Sequence, residues 1–247
     1  MRLTVVGCGD AFGSGGRGNA CFWIESGNIT LALDFGATAL VGMRRLGLDP
    51  NRLDAVVLSH LHGDHFGGLP FLLLDAQYDS RRERPLTVIG PIGTTERLQA
   101  ALEVLYPGVS GKSWRFPFNV VDLPCEVRHG FAHVEIRTTE VVHPSGAPST
   151  AVRLTDGTRT LAYSGDTGWT DALVAAARGA DLFIAECTSF DRPLANHLDF
   201  KTIEANRARF GASRVMLTHM GLSVLDRLAA IEAKGYLTAH DGLTLDV

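Results

Sequence analysis

Cysteine, lysine and long apolar runs are all scarce in this chain. Its four cysteines, Cys8, Cys21, Cys125 and Cys187, form no Cys-x-x-Cys pair. That argues against a cysteine-built metal site and against a disulfide framework. Reduced, mostly buried thiols in a cytoplasmic protein are expected instead. No apolar run approaches the roughly 20 residues that cross a bilayer, so no membrane partner is expected. The stretch Met1-Arg2-Leu3-Thr4-Val5-Val6-Gly7 goes straight into a strand-like run and lacks signal-peptide order. Lysine occurs only as Lys112, Lys201 and Lys234, and the net charge is −4. A non-specific nucleic-acid binder takes most of its affinity from phosphate neutralisation, so an extended nucleic acid is not the expected partner. The one basic cluster, Arg81-Arg82-Glu83-Arg84, reads as a solvated connector. The glycine-rich loop Gly7–Asn19 lacks the Gly-Lys-Ser/Thr ending of a phosphate-binding loop, and a strand (Cys21–Ile24) follows it rather than a helix. It is expected to bring backbone close to a site.

What the chain does have is alternation. Hydrophobic residues make up 45% of its 247 residues, enough for a large core. Strands are expected at 2–7, 21–24, 29–33, 53–59 and 86–89, and helices at 37–46, 69–78 and from Thr94 to before Pro107. The aromatic loop 107–119 either walls a pocket or folds onto the core. From Val120 the pattern restarts with strands at 125–128, 133–138, 151–155 and 159–164. Helices at 169–177, 199–210 and 222–234 then alternate with strands at 181–185 and 214–217, and 236–247 reads as a final hairpin. The two halves, about 1–119 and 120–247, thus run alike. With no long linker between them, a single α/β domain is expected, its two sheets packed face to face with helices outside.

The chemistry concentrates in His60-Leu61-His62-Gly63-Asp64-His65, where an apolar strand gives way to a helix. Imidazoles and a carboxylate at this spacing suit zinc and similar metals. Three later strand exits carry further candidates: His143, Asp166 and His219. Open α/β sheets gather their sites at strand carboxyl ends. The seven residues His60, His62, Asp64, His65, His143, Asp166 and His219 suffice for two metals with a shared carboxylate. Asp34, in Leu33-Asp34-Phe35-Gly36, is expected to orient a ligand or loop rather than bind metal. His129, His133 and His240 have no matching partner and are expected at the surface or in the core.

These ordered motifs resemble those of the metallo-β-lactamase superfamily over essentially the whole chain. The resemblance implies a four-layer αββα sandwich with its site along one edge of the two sheets. It also implies that His60, His62 and His143 hold one metal and Asp64, His65 and His219 the other, with Asp166 bridging. Glu186, followed by His197 in Asn196-His197-Leu198, is similar to the glutamate and histidine accompanying the site in ribonuclease Z and its phosphodiesterase relatives. Gly7-x-Gly9-Asp10-Ala11 and Leu33-Asp34-Phe35-Gly36 resemble that branch too. Ribonuclease Z carries a long arm that grips tRNA, and the strands between Val120 and His143 leave no room for one.

The expectation is therefore a dinuclear metal-dependent hydrolase that cleaves a small phosphodiester, such as a cyclic nucleotide, in the manner of a phosphodiesterase. Zinc is favoured, and manganese or iron would accept the same residues. A metal-activated water would attack phosphorus, with Asp64 orienting it, and His197, held protonated by Glu186, would serve the leaving oxygen. The alternatives are another ester (an aryl sulfate, lactone or thioester) on the same metals, or an RNA endonuclease of the ribonuclease Z type. A homodimer is compatible with the resemblance.

Overall fold

Several strands of this chain are apolar on both faces, and such strands need cover from both sides. Ile29–Leu33 and Leu182–Glu186 are buried at every position. In the computed structural model, which describes residues 1–247, that need is met by two seven-stranded sheets facing each other.

The first half supplies β1 (Arg2–Gly7), β2 (Cys21–Ser26), β3 (Ile29–Leu33), α1 (Ala39–Arg45), β4 (Ala55–Val57), α2 (Gly63–Phe66), α3 (Leu69–Leu74), β5 (Leu86–Gly90), α4 (Thr94–Leu105) and β6 (Phe118–Asp122). The second supplies β7 (Arg128–Phe131), β8 (Val134–Glu140), β9 (Thr150–Thr155), β10 (Thr160–Tyr163), α5 (Ala172–Ala177), β11 (Leu182–Glu186), α6 (Phe200–Phe210), β12 (Arg214–Thr218), α7 (Leu222–Leu225), α8 (Leu228–Glu232), β13 (Leu237–Thr238) and β14 (Thr244–Asp246). The sheet orders are β14-β1-β2-β3-β4-β5-β6 and β13-β12-β11-β10-β9-β8-β7.

Three apolar layers separate four layers of structure. Leu3, Phe22, Leu33, Leu154, Tyr163 and Ile184 fill the space between the sheets. Trp23, Val56 and Val88 face Met43, Leu69 and Leu98 of the helices outside the first sheet. Phe183 and Val215 face Leu173, Ile203 and Phe210 outside the second. This is the αββα sandwich. No helix is long and apolar enough to cross a membrane.

The structure corrects several expectations. Residues 125–128 do not form a strand; the chain turns at Glu126 (φ 64°) and pairing starts at Arg128. Phe118–Asp122 is a strand of the first sheet, pairing in parallel with β5, so that sheet runs past residue 119. The segment 236–247 is no hairpin: β13 joins β12, whereas β14 crosses to β1, opposing Asp246 to Arg2. Both sheets have an open edge at this end, and each takes one strand. The helix expected at 222–234 breaks at Arg227 (φ −127°), and the one at 69–78 passes into a π-turn at Asp75–Asp79. The loop 107–119 folds its aromatics inward, with Trp114, Phe116 and Phe118 packed on one another and on the core.

Nor is the Arg81–Arg84 run uniformly solvated. Arg82 is only 2% exposed. Its Nε donates to the Arg84 carbonyl at 2.7 Å, one terminal nitrogen to Pro50 and Asn51, and the other to Leu53 and Pro85. Five donors meet five backbone carbonyls, which is how a guanidinium tolerates burial.

Candidate metal centre

Strand exits along one edge of the sandwich deliver the polar residues. β4 leads through Leu58-Ser59 to His60 and His62, and the single turn of α2 adds Asp64 and His65. His143 follows β8, Asp166 follows β10, Glu186 ends β11 and His219 follows β12. Asp34 and His219 both sit in the left-handed region, at φ 56° and 55°. Gly36 lets the β3 exit slide beneath the ligand loop, since a Cβ there would lie 2.1 Å from the Asp64 carbonyl oxygen.

The seven candidate residues meet in two adjoining groups. His60, His62 and His143 offer ring nitrogens within 4.8 Å of one another, and so do Asp64, His65, Asp166 and His219 with their ligating atoms. In the first group His143 Nε2 lies 3.0 Å from His62 Nδ1. In the second, Asp64 Oδ2 is 3.3 Å from both His65 Nε2 and His219 Nε2. Asp166 links the two: its oxygens lie 3.3 Å from His65 and His219, and 4.0 Å from His60 and His143. His60 Nε2, His65 Nε2 and Asp166 Oδ1 are buried and have no hydrogen-bond partner. Buried polar atoms rarely stay unpaired. Three of them converging among imidazoles and carboxylates fit divalent metal ions.

The outward nitrogens are held. His60 Nδ1 meets Ser59 Oγ at 3.0 Å, His65 Nδ1 meets Asp34 Oδ2 at 2.7 Å, His143 Nδ1 donates to the Asn196 carbonyl at 2.9 Å, and His219 Nδ1 meets Thr188 Oγ1 at 3.1 Å. Such contacts set the tautomer and aim the other nitrogen inward. Burial, reinforced by His65, pushes His60 well below the ordinary imidazole range, and burial with His143 lowers His62. Neutral imidazole is the ligating form. Burial also opposes charge on His219, but Asp166 and the Asp64 contact outweigh it and raise its pKa to about 9. His65 is raised likewise, the pull of Asp166 and Asp34 overcoming its burial.

Beside Asp166 stands a second pair. His197 Nδ1 lies 3.0 Å from Glu186 Oε1 and 4.0 Å from Asp166 Oδ2. Glu186 is fully buried and accepts from the Thr167 backbone N–H at 2.7 Å and from Thr188 Oγ1 at 2.8 Å. Partial burial disfavours charge on His197, but the Glu186 hydrogen bond prevails and raises its pKa. Thr188 went unnoticed in the sequence. It touches Glu186 and His219 and lies 3.3 Å from His197 Nδ1. Its place two residues beyond Glu186 at the same strand exit was the available signal. The cleft over these groups has a volume of about 220 Å³, and Asp10, Ala11 and Phe12 of the glycine-rich loop form part of its wall. The loop 107–119 contributes nothing to that wall. His129, His133 and His240 stand apart from it, and His133 meets Ser26 Oγ at 3.2 Å.

A sandwich with paired His/Asp clusters at one sheet edge is the architecture of a metal-dependent hydrolase. The sequence profile described as Beta-lactamase superfamily domain matches residues 33–220, and the chain belongs to that superfamily as one of its metallo-hydrolases. The probable metallo-hydrolase YhfI of Bacillus subtilis is 28% identical over 239 residues, spanning 89% of this chain and 87% of that protein. Its crystal structure superposes with a TM-score of 0.81 over 99% of this chain and 98% of that one, at 24% identity. A ribonuclease Z of Limosilactobacillus fermentum is 26% identical, covering 83% of this chain and 82% of that protein. A diphosphatase from the PhnP family superposes with a TM-score of 0.78 at 19% identity, covering 100% of this chain and 97% of that one, a likeness of fold.

Proposed function

We propose that the protein is a dinuclear phosphodiesterase acting on a small phosphodiester such as a cyclic nucleotide. The observation that carries this reading is the His197–Glu186 pair, 3.0 Å apart, at the edge of the double cluster. Cleaving a phosphodiester requires a proton for the leaving oxygen, and a histidine kept protonated by a buried carboxylate supplies one. Sulfate esters and activated lactones depend less on that proton.

Bound at the two groups, divalent ions would supply an activated water and offset charge on the phosphoryl oxygens. His60, His62 and His143 would hold one ion and Asp64, His65 and His219 the other, with Asp166 within reach of both groups. Asp64 orients the attacking water, Glu186 aligns His197, and His197 donates to the leaving oxygen. Zinc is the first ion to test, with manganese and iron next, because imidazole and carboxylate accept all three. A small substrate suits the cleft. No arginine or lysine lines it, and only short connections join β6, β7 and β8, where a tRNA-gripping arm would be inserted. Four free cysteines, three of them buried, support a reducing, cytoplasmic setting.

The test is hydrolysis of bis(p-nitrophenyl) phosphate by protein stripped of metal and reloaded with zinc or manganese, beside p-nitrophenyl sulfate and a lactone panel. Metal-dependent diester cleavage is expected, with Asp64→Ala removing most activity; on a cyclic nucleotide, whose alkoxide leaving group needs the proton, His197→Ala should lower kcat roughly 10²- to 10⁴-fold. Turnover of the sulfate or lactone alone would overturn the phosphodiester assignment and leave the metal centre standing.

A further inference from the structure

Phe12 is the most exposed large apolar side chain in the protein, at 92%. It is also part of the wall of the cleft that holds His62, Asp64, His197 and His219. An aromatic ring left in water at a site mouth forgoes the burial that would otherwise stabilise it.

The loop beneath the ring is built to hold it there. Asp10 is buried, and its carboxylate accepts from the backbone N–H groups of Phe12 at 3.1 Å and Ser14 at 2.9 Å, and from Ser14 Oγ at 2.6 Å. The Gly13 N–H closes the turn on the Asp10 carbonyl at 3.1 Å. Asp10 lines the cleft yet joins neither cluster of candidate metal ligands. Its hydrogen bonds are spent on a turn whose tip carries Phe12. Next to it lies α7, packed against the 14–16 turn and bearing Leu222, which is 63% exposed. Of the cleft's own lining, Ala11 and Phe12 are apolar, whereas the rest is made of imidazoles, carboxylates and Thr188.

The rest of the wall narrows the choice of occupant. No arginine or lysine lines the cleft, and its histidines belong to the candidate metal centre or, as His197, to the leaving oxygen. A polyphosphate or an RNA backbone would find nothing there to neutralise its further charges. A substrate with one phosphate over the candidate metal centre must take its remaining recognition from elsewhere, and the flat apolar ring is what the wall offers. A nucleobase has a π-face that any aromatic side chain can stack on.

We infer that Phe12 is a stacking platform for the base of a nucleoside phosphodiester, and so a specificity-determining residue. This rests on the phosphodiesterase reading above and narrows it to base-bearing substrates.

Two diesters with one leaving group test it: thymidine 5′-(p-nitrophenyl phosphate) and methyl p-nitrophenyl phosphate, each given to the metal-loaded protein. The ratio of their kcat/KM values reads the base. Wild type is expected to favour the nucleoside diester, and Phe12→Ala to lower the ratio roughly tenfold, mainly through KM. Phe12→Tyr should restore it. An equal ratio in wild type and Phe12→Ala overturns the platform while leaving the phosphodiesterase standing. Hydrolysis of neither diester would overturn the phosphodiesterase reading, and a second measurement then judges Phe12 without catalysis. Titrating Phe12→Trp protein with thymidine 5′-monophosphate should quench its added fluorescence saturably. Absence of saturable quenching overturns the platform.

Discussion

His65 turns its Nδ1 onto Asp34 Oδ2 at 2.7 Å, and neither side chain has any exposure. Asp34 also accepts from the backbone N–H and the hydroxyl of Ser59, both at 2.7 Å, and Ser59 Oγ in turn contacts His60. One carboxylate thereby steadies a histidine of each cluster. Asp34→Ala is expected to weaken zinc binding about 10- to 100-fold, the usual cost of losing such a support. Competition with a chromophoric chelator measures it. Wild-type affinity in the variant would show that Asp34 only serves the fold.

Metal loading should release protons. His65 and His219 both favour the charged form in the metal-free protein, His219 with a pKa of about 9. A metal must displace those protons, so about two should appear per protein loaded near neutral pH. Apparent zinc affinity should fall as pH falls. Calorimetry in buffers of differing ionisation enthalpy counts the protons, and zero release would contradict the assignment of these two rings.

Glu186→Gln should shift the pH profile. His197 opposes its own partial burial through the Glu186 hydrogen bond, which raises its pKa. An acid acts only while protonated, so activity is lost as pH rises through that pKa. Removing the carboxylate charge lowers the pKa, and the alkaline limb of kcat/KM should move to lower pH. A limb that stays put would assign the donor elsewhere.

Arg82→Met should destabilise the protein by about 3 kcal/mol or more, because five backbone carbonyls lose their donor and several stay buried. A lowered urea midpoint with unchanged activity per folded molecule is expected. An unchanged midpoint would mean that water replaces the guanidinium freely.

Elements dominated by local signals were legible in the sequence. β3, β11 and α6 lie where apolar runs, an Asp199 cap and Gly211 put them. The C-terminal end was misread because an Asp241-Gly242 turn between two apolar stretches carries the signal of a hairpin. The pairing was decided by the open edges of two different sheets. Arg82 was misread because a charge run says nothing about carbonyls supplied by Pro50, Asn51 and Leu53 some thirty residues away.

By itself, then, the sequence determined which residue types stand at which strand exits. His60, His62, Asp64 and His65 are close in the chain, and the exits at His143, Asp166 and His219 follow readable strands. Only the tertiary structure decided that these exits share one sheet edge, that Asp166 reaches both groups, and that Thr188 and Asp34 stand behind the rings. It alone lifted Phe12 to the rim. The physical reason is that side-chain periodicity records which face of an element is buried. It does not record which strand becomes the neighbour, and that neighbour brings the distant carboxylate within 3.3 Å of the ring.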